Sequence, residues 1–70
     1  MRLTVNGREC DCQAGDLAEL WRRETADLAI NEPRGFAISL NGAVVRRAAW
    51  PVTAVRDGDA VEIIRAMSGG

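Results

Sequence analysis

Alternating apolar and polar residues open the chain and predict a β-hairpin. Leu3 and Val5 stand at alternate positions, and Asn6-Gly7 follows them directly. Both turn residues tolerate positive φ, as a type I′ turn requires, so the chain is expected to reverse there and return as a strand over Arg8–Gln13.

Helical periodicity follows the hairpin. Asp16 stands three residues before Glu19, which is the spacing of a capping box. The apolar positions after Asp16 recur at helical spacing: Leu17, Leu20 and Trp21. We predict an amphipathic helix that begins at Leu17 and ends within residues 25–35, where Pro and Gly interrupt the pattern.

A second hairpin and a short irregular stretch are predicted next. Phe36–Leu40 alternates large and small residues, Asn41-Gly42 repeats the tight-turn pair, and Ala43–Arg46 forms the return strand. Residues 48–51 are typical of a turn or a short 3₁₀ helix. Val52–Val55 is predicted as a brief edge strand, where a preceding proline is tolerated.

The last predicted strand is Ala60–Arg65, after a reversal at Asp57-Gly58-Asp59. Because side chains alternate between the faces of a sheet, Val61 and Ile63 are expected to face the helix and Ile64 the opposite, open face. We predict that Ile64 belongs to a surface that binds partner proteins, because the core does not use it.

The order of elements is two strands, a helix and three strands, which is an α+β arrangement. We expect the β-grasp plan, a mixed sheet of four to five strands with one main helix packed on one face. One domain over residues 1–66 accounts for these elements, and residues 67–70 are expected to form a flexible C-terminal tail.

The composition supports one small domain and argues against catalysis by this chain. The 70 residues are 47% hydrophobic and 27% charged, with a net charge of -1, which is typical of a folded globular protein. All nine basic residues are Arg, so the chain lacks the His and Lys side chains that commonly carry acid–base catalysis. We expect a protein that is not itself an enzyme.

Charge and hydropathy also limit the partners. The arginines are interleaved with ten acidic residues, so no basic stripe predicts nucleic acid binding. No apolar run approaches the roughly 20 residues that cross a bilayer, and the first residues lack a secretory signal. We expect a cytoplasmic protein that binds neither a membrane nor nucleic acid.

Cys10 and Cys12 are predicted to be structural. Their spacing in a strand puts both side chains on the inner face, where an unstrained disulfide bond between them does not fit. A tetrahedral zinc site would need two more Cys or His ligands, and the sequence has none. We expect two buried thiols and no metal or cofactor bound by this chain.

The reactive group is predicted at the end of the chain, which reads Met67-Ser68-Gly69-Gly70. The α-carboxylate of Gly70 is ionised at neutral pH and unreactive until an ATP-dependent partner converts it to an acyl adenylate. A sulfur donor can then replace the adenylate and leave a thiocarboxylate. Because glycine has no Cβ, Gly69 and Gly70 can enter a narrow active site, and Met67 and Ser68 span the distance to the folded domain.

Six features carry a resemblance to a known family: the Asn6-Gly7 turn, Gly15 before the Leu17–Leu20 helix start, Ala37–Asn41, Val44–Arg47 with Trp50, Asp57-Gly58-Asp59, and Gly69-Gly70. In these features, over nearly its whole length, the chain resembles the ThiS-type sulfur carrier proteins of thiamine thiazole biosynthesis. These are ubiquitin-like β-grasp proteins of the ThiS/MoaD group.

The resemblance implies a set of partners. An E1-like adenylating enzyme (ThiF type) would use ATP to activate Gly70, and a sulfurtransferase or cysteine desulfurase would supply the sulfur. A thiazole synthase (ThiG type) would receive it. The tail residues Met67, Ser68 and Gly69 would then bind in these enzymes, and Ile64 would dock on them.

Other interpretations of the same residues stay open. The small subunit of molybdopterin synthase also ends in Gly-Gly, commonly after Pro-Pro-Val-Ser, whereas Arg65-Ala66-Met67 precedes Ser68 here. Carriers for other sulfur-containing metabolites would share the tail chemistry, and a ubiquitin-like modifier would join its C-terminus to lysines of other proteins. A plain interaction domain would keep its binding after removal of the tail.

Overall fold

The computed structural model describes residues 1–26 and 35–65. In these residues the chain forms an α-helix, α1, over Leu17–Glu24, and a 3₁₀ helix over Arg47–Val52. The strands are β1 (Arg2–Val5), β2 (Arg8–Asp11), β3 (Phe36–Leu40), β4 (Ala43–Val45) and β5 (Ala60–Arg65).

The strands form one mixed sheet in the order β2-β1-β5-β3-β4. β5 is the central strand, parallel to β1 and antiparallel to β3. Each hairpin, β1-β2 and β3-β4, is antiparallel. The predicted β-grasp plan is confirmed, with five strands and with α1 on one face.

Both hairpins close through the predicted turns. Asn6 and Gly7 have φ of 53° and 81°, and Asn41 and Gly42 have φ of 52° and 89°. Two successive residues at positive φ define a type I′ turn, whose twist matches that of the strands it joins. The identity of these two dipeptides therefore determines where each hairpin reverses.

The helix begins at the predicted capping box. Asp16 Oδ1 accepts a hydrogen bond of 2.8 Å from the Glu19 N–H. Glu19 Oε1 accepts one of 3.0 Å from the Gly15 N–H, so the return bond of the box ends one residue before the cap. The Gly15 N–H, with help from the Arg23 side chain, holds the pKa of the Glu19 carboxyl below its usual value.

The core lies between α1 and the sheet. Its largest fully buried side chains are Leu3, Leu17, Leu20, Ile38 and Val61. Trp21 of α1 packs with Phe36 at 5.4 Å between ring centroids and with Trp50 at 6.3 Å. Trp50 is buried as well, and its Nε1–H donates to the Val45 carbonyl at 2.9 Å. Trp50 thus joins the 3₁₀ helix to both α1 and β4.

The prediction of an edge strand over Val52–Val55 is wrong. Val52 ends the 3₁₀ helix, and only Ala54 forms an isolated bridge, to Asp16. The backbone on either side of Ala54 is hydrogen-bonded to the residues that lead into α1. The Leu17 N–H donates to the Thr53 carbonyl, and the Val55 N–H donates to the Gly15 carbonyl. The segment therefore supports the start of the helix and does not extend the sheet.

We expect Asp16→Ala to lower the free energy of unfolding by about 1 kcal/mol, because it removes the acceptor at the start of α1. Urea unfolding monitored by tryptophan fluorescence measures this change. Arg22→Ala, at an exposed position of the same helix, is the control and is expected to change it little. Equal losses in the two variants would contradict the capping role.

Candidate functional site

The candidate site begins at the end of β5, where Ile64 lies on the face of the sheet opposite α1. Ile64 pairs with Ala37 of β3, and its side chain is 54% exposed. The neighbouring residues Val61 and Ile63 turn toward the core, Val61 being fully buried and Ile63 half-buried. The alternation along β5 is as predicted.

A second large apolar side chain shares this face. Val44 of β4 is 77% exposed and pairs with Ser39 of β3. Ile64 and Val44 thus lie on opposite sides of β3, with Ala37 beside Ile64. We call Ala37, Val44 and Ile64 the open-face patch.

Sequence analysis did not select Val44 as a functional residue. A signal was available in the sequence, because Val44 and Val45 are adjacent in a predicted strand and strand alternation turns one of them away from the core.

Charged side chains share the open face with this patch. Glu62 pairs with Ser39 and is exposed between Ile64 and the start of β5. Farther across the sheet, Arg2 and Glu9 form an exposed ion pair of 3.2 Å. The face therefore offers exposed apolar side chains with charged groups beside them.

The start of β5 is fixed by side chains from several loops. The Ala60 N–H donates to Asn41 Oδ1 at 2.9 Å, and Asn41 Nδ2 donates to Asp59 Oδ1 at 3.0 Å. Asp59 Oδ2 accepts from the Arg56 N–H at 2.8 Å, and Asp57 Oδ1 accepts from the Arg2 N–H at 2.7 Å. The strand that carries the candidate site thus has a defined register against both hairpins.

The other end of β5 leads to the predicted reactive tail. Arg65, its last residue, pairs with Phe36, and the guanidinium carbon lies 5.7 Å from the centre of the Phe36 ring. The predicted site residues Met67, Ser68, Gly69 and Gly70 lie outside the described residues. Ile64 is the predicted site residue whose surroundings the structure describes.

The two cysteines are free thiols in unequal environments. Cys12 is buried as predicted, and its Sγ accepts from the Ala14 N–H at 3.4 Å. Cys10 is only half-buried, because β2 is an edge strand.

Cys10 opens onto a cleft of about 200 Å³ between the first hairpin and the end of α1. The cleft is lined by Val5, Asn6, Arg8, Glu9, Cys10 and Glu24. Burial and the nearby Glu24 carboxylate raise the pKa of the Cys10 thiol, so this thiol is a poor nucleophile at neutral pH.

Two further features bear on the kind of site. Residues 1–26 and 35–65 contain no group of three or more His, Cys, Asp or Glu side chains placed to hold a metal ion. Over the same residues, α1 and the other helical segment are too short and too polar to cross a membrane.

Comparison with known proteins decides the family. The sequence profile described as the ThiS family matches residues 3–70. The chain belongs to the ThiS family. The match includes the whole of β5, the open-face patch and the two terminal glycines of the sequence, so the resemblance found in the sequence is confirmed.

Solved structures agree with this family assignment. A crystal structure of the thiamine biosynthesis protein ThiS from Geobacter metallireducens is 36% identical in sequence, covers 100% of both chains and has a TM-score of 0.75. An NMR solution structure of the same thiamine biosynthesis protein is 36% identical, covers 100% of this chain and 88% of the other, and has a TM-score of 0.70. No curated protein sequence matches this ThiS-family chain at a significant level.

We expect alkylation of Cys10 to follow its raised pKa. In a Cys12→Ala variant, the rate of reaction with iodoacetamide should rise with pH with a midpoint above 9.0, the ordinary value for the thiol. Glu24→Gln should lower that midpoint because it removes a nearby negative charge. Glu62→Gln, a change on the opposite face of the sheet, is the control and should leave it unchanged. A midpoint at or below 9.0 in the Cys12→Ala parent would contradict this assignment.

Proposed function

We propose that this chain is a sulfur carrier for thiamine biosynthesis, in which the α-carboxylate of Gly70 is adenylated and then converted to a thiocarboxylate. The observation that carries the proposal is the family match over residues 3–70, which ends on Gly69-Gly70. Both similar structures are of one protein of thiamine biosynthesis, which supports the thiazole as the destination of the sulfur.

The chemistry requires three steps, which together replace one oxygen of the Gly70 carboxylate by sulfur. A carboxylate oxygen of Gly70 attacks the α-phosphorus of ATP, and pyrophosphate leaves. The terminal sulfur of a protein persulfide then attacks the carbonyl carbon and displaces AMP. A thiol cleaves the resulting S–S bond, is oxidised to a disulfide, and leaves the thiocarboxylate on Gly70. The acceptor enzyme takes the sulfur from this group.

In this proposal the chain is a co-substrate of its partners. The sequence contains no His or Lys to act as a general base. The raised pKa of the Cys10 thiol makes it a poor nucleophile at neutral pH. An adenylating enzyme would bind the ATP, and a persulfide-bearing sulfurtransferase and a thiazole synthase would supply and receive the sulfur. From Met67 to Gly70, extended chain reaches roughly 13 Å, which is enough to enter a partner's active site.

The open-face patch is the proposed docking surface for these partners. It is apolar, it is exposed at Val44 and Ile64, and β5 continues from it toward the tail. Burial of one such side chain contributes about 1.5–3 kcal/mol, which corresponds to one to two decades of affinity. The body of the protein would thus be held by the sheet while the tail reaches the reacting atoms.

Gly70 is expected to gain one sulfur in place of one oxygen when the chain is incubated with ATP, the adenylating enzyme and a persulfide donor. Intact mass spectrometry detects the change, and fragmentation must locate it at Gly70, because oxidation of Met or Cys adds nearly the same mass. A chain without Gly70 should not be modified. A variant with both Cys10 and Cys12 replaced by Ala should be modified normally.

Several results would overturn this carrier function. No thiocarboxylate on the full chain, or a thiocarboxylate that forms without Gly70, would exclude the proposed chemistry. Transfer of the carbonyl of Gly70 to a lysine of another protein in place of sulfur would identify a protein modifier. Loss of modification in the folded double-cysteine variant would make a thiol of this chain part of the reaction.

Ile64→Asp is expected to weaken binding to the adenylating enzyme and to the sulfur acceptor by well over tenfold. The change puts a desolvated charge in the interface, but it leaves the core untouched, so the midpoint of thermal unfolding should move little. Isothermal titration calorimetry with each partner measures the affinity.

Val52→Asp is the matched control for this docking experiment. Val52 is 83% exposed, but it belongs to the 3₁₀ helix, which packs against α1 and lies away from the open-face patch. Val44→Asp, within the patch, should weaken binding as Ile64→Asp does. Unchanged affinity in both patch variants, or an equal loss in Val52→Asp, would place the docking surface elsewhere.

A further inference from the structure

Both hairpin turns hold β5 through an asparagine side chain, and they do so at different points along the strand. Asn6 and Asn41 occupy the same position in equivalent turns, with φ of 53° and 52°. Asn41 Oδ1 accepts from the N–H of Ala60, the first residue of β5, at 2.9 Å. Asn6 Oδ1 accepts from the Ile63 N–H at 2.7 Å, in the half of the strand that leads to the tail.

The Asn6 side chain binds β5 beyond the point where backbone pairing between β5 and the first hairpin ends. β1 pairs with β5 only through Thr4 and Val5, after which the Asn6 N–H donates to the Val61 carbonyl at 2.9 Å. The chain then turns away at Gly7. In residues 1–26 and 35–65, the bond from Ile63 to Asn6 is the last one between this hairpin and the backbone of β5.

The other edge of β5 is held differently. β3 stays paired with β5 as far as Arg65, opposite Phe36. The last residues of β5 are therefore fixed by a continuous ladder on the β3 side and by one side-chain hydrogen bond on the β1 side. Loss of that bond would leave this end of the strand free to twist about its remaining edge.

We propose that Asn6 is a positioning residue for the transfer chemistry. Its bond to Ile63 sets the direction in which β5 ends, and hence the path by which Gly70 reaches the active site of the adenylating enzyme. This inference rests on the proposed carrier function. Ile64 of the open-face patch remains paired with Ala37 of β3 when this bond is lost. We therefore expect the bond to affect the orientation of the tail in the docked complex more than the docking itself.

Asn6→Gly and Asn41→Gly test this inference as a matched pair. Glycine adopts positive φ freely, so both turns persist, and each variant loses its side-chain bonds to β5. Asn41→Gly is a strict control, because it removes two side-chain hydrogen bonds, one from Ala60 and one to Asp59, whereas Asn6→Gly removes the one from Ile63. Hydrogen exchange should show faster exchange of the Ile63 amide in Asn6→Gly and of the Ala60 amide in Asn41→Gly.

The functional readout is pyrophosphate release by the adenylating enzyme, with the carrier as the varied substrate. We expect Asn6→Gly to lower kcat by about fivefold, the factor that one hydrogen bond of ordinary net strength is worth, with KM unchanged. Asn41→Gly should keep both constants. Asn6→Asp, which retains an oxygen acceptor and tolerates positive φ, should restore kcat.

The outcomes separate the positioning role from the carrier function. If Asn6→Gly reacts as the unsubstituted chain does, if it changes only KM, or if Asn41→Gly loses as much kcat, Asn6 has a structural role alone. If the adenylating enzyme releases no pyrophosphate even with the unsubstituted chain as substrate, the carrier function and the positioning role both fail.

Discussion

The whole structure depends on β5, the last described strand, being hydrogen-bonded on both sides. It pairs in parallel with β1 and antiparallel with β3, so it joins two hairpins that have no other strand in common. A two-stranded hairpin by itself is at best marginally stable in water. Ordering β5 between the two hairpins closes long loops at a cost in chain entropy, and burial of Val61 against α1 helps to offset that cost.

Alternate residues of β5 serve two purposes: those on one face of the sheet stabilise the core, and those on the other face form part of the proposed docking surface. Val61 and Ile63 turn toward α1, whereas Glu62 and Ile64 lie on the open face. A shift of register by one residue would exchange the two sets and destroy both the core and the proposed docking surface. The asparagine and aspartate side chains around β5 oppose such a shift, because they bind individual backbone amides and not a repeating pattern.

Local chemistry explains which parts of this architecture could be predicted from the sequence. The two Asn-Gly turns, the Asp16 cap and the alternation along β5 each depend on a few adjacent residues, and all are found in the structure. The segment Val52–Val55 was predicted wrongly because its hydrogen-bond partners, Gly15 and Leu17, are far away in sequence.

The side-chain bonds to β5 were missed for a different reason. The need for positive φ already accounted for Asn6 and Asn41, and nothing nearby in the sequence indicates that their amide oxygens reach Ile63 and Ala60. The half-buried state of Cys10 also depends on which strand lies at the edge of the sheet. The chemistry predicted for Gly70 rests on its α-carboxylate and on the two glycines of the tail, whereas the identity of the partner enzymes came from the family resemblance.

Native-state hydrogen exchange of the unsubstituted chain tests the central role of β5 most directly. The free energy of exchange for the amides of Val61, Glu62 and Ile64 is compared with the free energy of unfolding from urea titration. The account predicts that the two agree, so that β5 opens only when the whole domain unfolds, while amides in β2 and β4 exchange through smaller openings. Exchange of the β5 amides through a local opening, with β1 and β3 still protected, would contradict it.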